Sequence, residues 1–256
     1  MSDALVSDAL VSDALVSDAL VRDAAATLSV VDVCCIGAHP DDVELSMGGT
    51  IAGLVRAGAR VGLLDLTDGE PTPYGTHDLR MREAAAAALA LGVAWRHTLP
   101  LPNRALQDTL EVRRQVAEVL RAARPKLVFT HSPQDAHPDH VAAAALVMAA
   151  RFWAKLVKTD MAGAPHYPAR VYHFQAAHER SAQPPSFIID VSLDMERKRA
   201  ALACYASQFT ANPANTQFMR HVEISASYFG ALARVDAGEP FFAREPIALA
   251  RVTDLL

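Results

Sequence analysis

The sequence predicts an α/β protein built on a mostly parallel sheet with helices on both faces. Three observations carry that expectation. From Ser29 onward, short apolar runs rich in β-branched residues alternate with longer segments whose apolar residues recur every three to four positions. The runs VVDVCCIGA and KLVFTHS lack the in-out alternation of a half-exposed strand and read as strands covered on both sides. Alternating βαβα units of this kind give parallel pairing through right-handed crossovers.

Taken in order, Val30–Ala38 is the first expected strand. A helix follows over Asp41–Ala57, with Val43, Met47, Ile51, Leu54 and Val55 on one side and Gly58 to end it. Arg60–Thr67 is the second strand, and Asp68–Asp78 a loop rich in turn formers. Leu79–Leu91 is an alanine-rich helix stopped by Gly92. Trp95–Leu101 is a third strand, with Pro100 and Pro102 at its end. Thr109–Ala123 is a helix capped by Thr109 or Asp108. Lys126–Ser132 is a buried strand, Val141–Val157 a helix, Arg170–Ala176 and Ser186–Ser192 later strands, and Leu193–Phe209 a final helix.

The chain has 256 residues, 51% of them hydrophobic, which suits one domain over residues 29–256. Residues 1–28 are set apart: SDALV occurs four times in succession, and a period of five gives neither helix nor strand a continuous apolar side. This segment reads as a low-complexity tail, disordered or loosely helical. Net charge is −5 and the densest basic patch is Arg197-Lys198-Arg199, expected as a solvated helix face, so no nucleic-acid partner is expected. Three cysteines in a chain of this length point to a reducing, cytoplasmic compartment. Cys34 and Cys35 are adjacent in a strand and should face opposite sides of the sheet. No apolar run reaches 18 residues, so no membrane span is expected.

Chemistry concentrates in a repeated motif. AHPDD at Ala38–Asp42 recurs as AHPDH at Ala136–His140, 98 positions later. Each follows a predicted buried strand, so both lie at strand C-terminal ends on one rim of the sheet, where α/β sheets bind ligands. A nucleotide fingerprint is missing: there is no P-loop motif, and Gly48–Gly53 lies inside the first helix rather than before it. One such motif alone would read as helix capping by Asp and Pro. Two of them, each with His ahead of Pro, read as two halves of one metal site. His39, Asp42 and His140 offer two imidazoles and a carboxylate, the donor set of a catalytic Zn²⁺ with an open position, and one that Fe²⁺ shares. Asp41 is left to act as a general base on water. His137 is left to hydrogen-bond the substrate oxygen or protonate the leaving nitrogen, with Asp139 to hold its tautomer and raise its pKa. His131, on the same rim, is a candidate for a supporting contact. His77, His97, His166, His173, His178 and His221 read as structural or surface residues.

AHPDDVEL followed by GGT, then LLDLTDGEPTPYGTHDLRMREAA, RPKLVFTHSPQDAHPDH, PSFIIDVS and YASQF, resembles the PIG-L/LmbE-like N-acetylglucosamine de-N-acetylases over nearly all of residues 31–256. Within that family the sequence is most similar to the bacillithiol-pathway deacetylases. The resemblance implies a Rossmann-like fold of the PIG-L/LmbE type and a divalent metal, usually zinc, on His39, Asp42 and His140. It implies Asp41 as base, His137 with Asp139 as oxyanion stabiliser or acid, and Arg80 as a substrate contact. It implies hydrolysis of an N-acetyl-sugar, first of all N-acetylglucosaminyl-L-malate. A chitooligosaccharide, a mycothiol-type precursor or a glycopeptide sugar are alternatives, and a non-catalytic sugar-binding protein is a further one. It also implies a homo-oligomer. Some relatives bind the oxyanion with a late tyrosine; Phe218 stands nearest that position here.

Overall fold

The computed structural model describes residues 28–179, 183–215 and 217–248. The SDALV repeats lie outside the described residues. In chain order the strands are β1 (Val33–Gly37), β2 (Val61–Thr67), β3 (Trp95–Leu101), β4 (Leu127–His131), β5 (Arg170–Phe174), β6 (Phe187–Asp190) and β7 (Gly238–Ala243). The helices are α1 (Asp42–Arg56), α2 (His77–Leu91), α3 (Leu110–Ala123), α4 (Pro138–Ala154), α5 (Met195–Ala203), α6 (Ala206–Phe209) and α7 (Phe218–Ala233).

The strands form one sheet in the order β3-β2-β1-β4-β5-β7-β6. The first five pair in parallel, and β7 runs antiparallel to both β5 and β6. β1 lies between β2 and β4, so the chain reverses its direction of travel there. That reversal opens a crevice at the carboxyl ends of β1 and β4. The side chains of the two central strands divide between two cores. Cys34, Ile36 and Val128 pack with α3 and α4 on one face. Val33, Cys35 and Phe129 pack with α1, α2 and α5 on the other. Cys34 and Cys35 thus face opposite ways, as strand geometry requires, and all three thiols are free.

α1 kinks at Met47, whose φ of −145° is not helical. The backbone N–H groups freed there are taken by one buried carboxylate: Gly49 N and Thr50 N donate to Glu239 at 3.0 and 2.7 Å. Lys198 Nζ donates to the same carboxylate at 2.6 Å and is itself buried. The expected solvated face over Arg197-Lys198-Arg199 is therefore corrected at its centre. Gly49 is required by close approach, since a Cβ there would lie 2.7 Å from the Val191 side chain.

Other expectations also shift. Thr109 caps α3 through Val112 N, as its sequence position suggests. The helix expected over residues 193–209 breaks at Cys204 and Tyr205 into α5 and α6. Tertiary bonds fix the break: Tyr205 donates its hydroxyl to Glu44 at 2.7 Å, and Ser207 donates N–H and O–H to Glu83. α4 begins at Pro138, earlier than expected, so the second motif is itself a helix N-terminus. α7 and β7, beyond the last expected element, complete the fold.

Candidate active site and metal centre

The two motifs meet across the β1–β4 seam. His39, Asp42 and His140 each bring one ligand atom to within 4.8 Å of the others. Asp42 Oδ2 lies 3.3 Å from His39 Nδ1, and Asp42 Oδ1 lies 3.3 Å from His140 Nε2. All three side chains are buried. The outer nitrogen of each histidine is held by a carboxylate: His39 Nε2 donates to Asp139 at 3.2 Å, and His140 Nδ1 donates to Asp135 at 2.9 Å. With their outer nitrogens donating to Asp139 and Asp135, His39 Nδ1 and His140 Nε2 are the atoms that would coordinate a metal once deprotonated, and both face the Asp42 carboxylate. Carboxylate–histidine pairs of this form orient metal ligands. Two nitrogens and one oxygen, converging from one side with their partners in place, fit a divalent metal of zinc type with a position left open.

Electrostatics agree with a cation at this point. Burial pushes the Asp42 carboxyl up, but His140, His131 and His39 together hold it well below the usual range. Burial pulls His140 down, yet Asp42 and Asp135 outweigh it and raise its pKa to about 10. Asp42 and Asp135 together favour a positive charge at His140, the charge that a metal ion held there would supply in place of the proton. His131 is completely buried, and burial drives its pKa down to about 4, keeping it neutral. Its Nε2 accepts from Ala38 N at 3.0 Å and sits 3.1 Å from Asp42 Oδ2, and its ring stacks on His140 with centroids 3.9 Å apart. It is a supporting wall beneath Asp42.

Asp41 stands beside Asp42 but points elsewhere. Its φ is 100°, a left-handed conformation that a residue with a side chain adopts at a cost. Arg80 Nη2 donates to Asp41 Oδ2 at 2.9 Å and also to Pro40 O. Burial raises the Asp41 pKa to about 7, with the Arg80 guanidinium opposing the rise. A carboxylate poised there is suited to accept a proton from water near neutral pH. Arg80 was expected as a substrate contact. It does line the cleft, but it is only 3% exposed and spends Nη2 on the Asp41 loop.

The cleft holds about 200 Å³ and is lined by His39, Asp41, Gly69, Thr72, Arg80, Asn103, Arg104 and His137. Asp139 does not hold His137 with its carboxylate, as expected from the sequence. That carboxylate accepts from His39 and from the backbone N–H groups of Arg104 (2.7 Å) and Leu106 (3.2 Å). Instead the Asp139 backbone N–H donates to His137 Nδ1 at 3.2 Å, which leaves the ring proton on Nε2. Burial and the neighbouring His140 and His39 lower the His137 pKa rather than raise it. Neutral His137 is a hydrogen-bond donor through Nε2.

Two residues escaped the sequence reading. Asp135 accepts from His137 N, His140 Nδ1 and His178 Nε2, the last at 3.1 Å. Its signal was present in QDAHPDH, five positions before His140. His178, read as structural or surface, joins the site only through the loop after β5, and no sequence spacing announces it. Phe218 stacks on Phe209 with centroids 5.2 Å apart, and the Tyr205 hydroxyl is bonded to Glu44. Neither Phe218 nor Tyr205 lines the cleft.

The family model described as PIG-L, GlcNAc-PI de-N-acetylase, matches residues 34–151, the span that contains both motifs. Diacetylchitobiose deacetylase of Thermococcus kodakarensis is 32% identical, with 70% of this chain and 71% of that protein covered. A 1D-myo-inositol 2-acetamido-2-deoxy-alpha-D-glucopyranoside deacetylase of Catenulispora acidiphila is 29% identical over 68% of this chain and 79% of that protein. Among solved structures, the conserved protein TT1542 of Thermus thermophilus superposes with a TM-score of 0.80 at 35% identity, covering 87% of this chain and 99% of that one.

Proposed function

The chain belongs to the PIG-L, GlcNAc-PI de-N-acetylase, family, and on that premise we propose that it is a metal-dependent hydrolase removing acetate from an N-acetylglucosamine moiety. The observation that carries this reading is the convergence of His39, Asp42 and His140 beside a cleft that also holds Asp41 and His137. A divalent metal on that triad, zinc by its donor set and Fe²⁺ as the alternative, supplies Lewis acidity to the acetyl carbonyl when bound. Asp41 accepts a proton from the attacking water as the oxygen–carbon bond forms. His137 Nε2–H donates to the oxyanion that develops on the carbonyl oxygen, a contact of the kind worth about 10²–10³ in rate. The proton held by Asp41 then passes to the nitrogen as the C–N bond breaks, and acetate and a free amine leave. Asp139 and Asp135 keep His39 and His140 oriented throughout.

The finer reading is N-acetylglucosaminyl-L-malate of bacillithiol biosynthesis. Arg104 supports it: its exposed side chain lies at the cleft, donating Nη2 to Pro71 O at 2.6 Å, and a guanidinium there suits an anionic aglycone. A second reading, N,N′-diacetylchitobiose, is favoured by the 32% identical relative of that activity. Acetate release from both compounds and from N-acetylglucosaminyl-inositol is the test. Each assay is run before chelation, after chelation and after Zn²⁺ add-back. Release from one compound that vanishes on chelation and returns with metal supports the mechanism and names the substrate. Metal-independent release overturns the metal assignment, and bound metal with no release from any of the three overturns the substrate class.

A further inference from the structure

The stretch YASQF lies at the break between α5 and α6, outside the residues that line the cleft, yet three of its side chains reach the cleft's walls. Ser207 donates its N–H and O–H to Glu83, three residues along α2 from Arg80. Gln208 Nε2 donates to Thr72 Oγ1 at 3.3 Å, and Thr72 lines the cleft. Tyr205 is completely buried. Its hydroxyl donates at 2.7 Å to Glu44, two residues after Asp42 on α1. Glu44 is held in turn by Arg96 Nη1, and Arg96 grips both oxygens of Asp65 at 2.6 and 2.7 Å. The far end of the Tyr205 ring is thus tied to a buried ionic anchor. Arg80 lies over the face of that ring, with Cζ 5.6 Å from the centroid. The Nε and Nη1 atoms of Arg80 are shielded from solvent and have no hydrogen-bond acceptor among the described residues. They do not project into the open cleft, and an aromatic face is a surface that attracts such a cation.

We propose that Tyr205 is a positioning residue for the reaction: its ring, anchored through its hydroxyl, holds the Arg80 guanidinium on Asp41 and on the Pro40 carbonyl. The role rests on the hydrolysis proposed above. Asp41 sits at a φ of 100°, a conformation that its surroundings must impose. Arg80 reaches the Asp41 carboxylate and Pro40 O through a single nitrogen, Nη2. A guanidinium held by one nitrogen is free to pivot about it, and a ring packed over the rest of the group removes that freedom. The ring cannot swing away in its turn, because its hydroxyl is bonded to Glu44. Tyr205 touches neither the cleft nor the triad of His39, Asp42 and His140, so it acts only through Arg80.

Tyr205→Leu removes the aromatic face, whereas Tyr205→Phe keeps it and leaves Glu44 its bond to Arg96. The leucine variant should lose about 10–100-fold in kcat, the scale of a small misplacement near the reacting groups, with KM and metal content little changed. The phenylalanine variant should retain most of kcat. Added to Arg80→Met, Tyr205→Leu should cost nothing further in kcat, because both changes remove the same clamp. A tyrosine that only fills the core predicts the opposite, a loss that adds to that of Arg80→Met. The contact is also read without substrate, by NMR of the Arg80 Nε–H proton, assigned through its loss in Arg80→Met. It should exchange slowly and lie upfield, under the ring, in the wild type and in Tyr205→Phe, and should move downfield in Tyr205→Leu. Additive losses, or a kcat unmoved by Tyr205→Leu, overturn the proposal and leave the hydrolysis standing. A wild-type proton that exchanges freely or resonates with the exposed arginines overturns it even where the leucine variant fails to fold. A wild type that releases no acetate overturns the hydrolysis and the positioning role with it, while the resonance still shows whether the clamp exists.

Discussion

Arg80 Nη2 donates to Asp41 Oδ2 at 2.9 Å while also holding Pro40 O, so one guanidinium group clamps the Asp41 carboxylate and the carbonyl of the residue before it, at a position whose φ is 100°. The pair is buried, where an ion pair is screened little. Arg80→Met removes the larger of the two nearby positive charges, Arg80 and His39, that oppose the burial of Asp41. The Asp41 pKa, already about 7, then rises further. A general base works when deprotonated, so the acid limb of the kcat/KM profile should move to higher pH and kcat should fall. A pH profile of acetate release checks this. A rise in KM with an unmoved acid limb would instead make Arg80 a plain substrate contact.

Asp41→Asn should keep the metal and lose about 10²–10⁴ in kcat, the range for removing a general base. Asparagine tolerates the left-handed conformation at this position, so the loop should survive the change. Metal content by mass spectrometry, measured beside turnover, separates this outcome from that of His140→Ala, which should lose both.

Asp135→Asn replaces the acceptor of His140 Nδ1–H with an amide and weakens the orientation of that ligand. Metal affinity should drop by about 10–100-fold, measured by competition with a chromophoric chelator. His178→Ala removes only one of the donors to Asp135 and should cost less. Equal losses from the two variants would mean that His178 itself holds the metal.

Lys198→Met leaves the Glu239 carboxylate buried without its cation, a change that costs about 3–5 kcal/mol in comparable sites. Urea unfolding should register that loss. Because Glu239 also receives Gly49 N and Thr50 N, the damage should spread to the kink in α1, which begins beside the site.

Much of this was legible from the residues. β1 and β4 announced themselves as apolar runs because both their faces are covered, and the repeated His-Pro-Asp pattern identified the residues that meet at their ends. Asp135 was not legible as a partner of His140, because only the turn from β4 into α4 brings the two together. The carboxylate of Asp139 was assigned to His137, its near neighbour, and went to His39, 100 positions away. β7 was hidden by Gly238 and Pro240, which argue against an interior strand, yet it lies between β5 and β6. α7 was hidden because its last ten residues carry no charge on any side and give little amphipathic contrast.

The pairing of β1 with β4 has a consequence for how the protein comes into being. Ile36 and Thr130, partners in that ladder, are far apart along the chain, and contacts of such separation form late because a long loop must close first. During synthesis, a chain that has emerged only through β3 carries His39 and Asp42 but no His140, and so only part of a chelate. In the proposed metal site, full-strength capture waits until the centre of the sheet has closed, and the rate at which a refolding chain withdraws zinc from an indicator dye should report that closure.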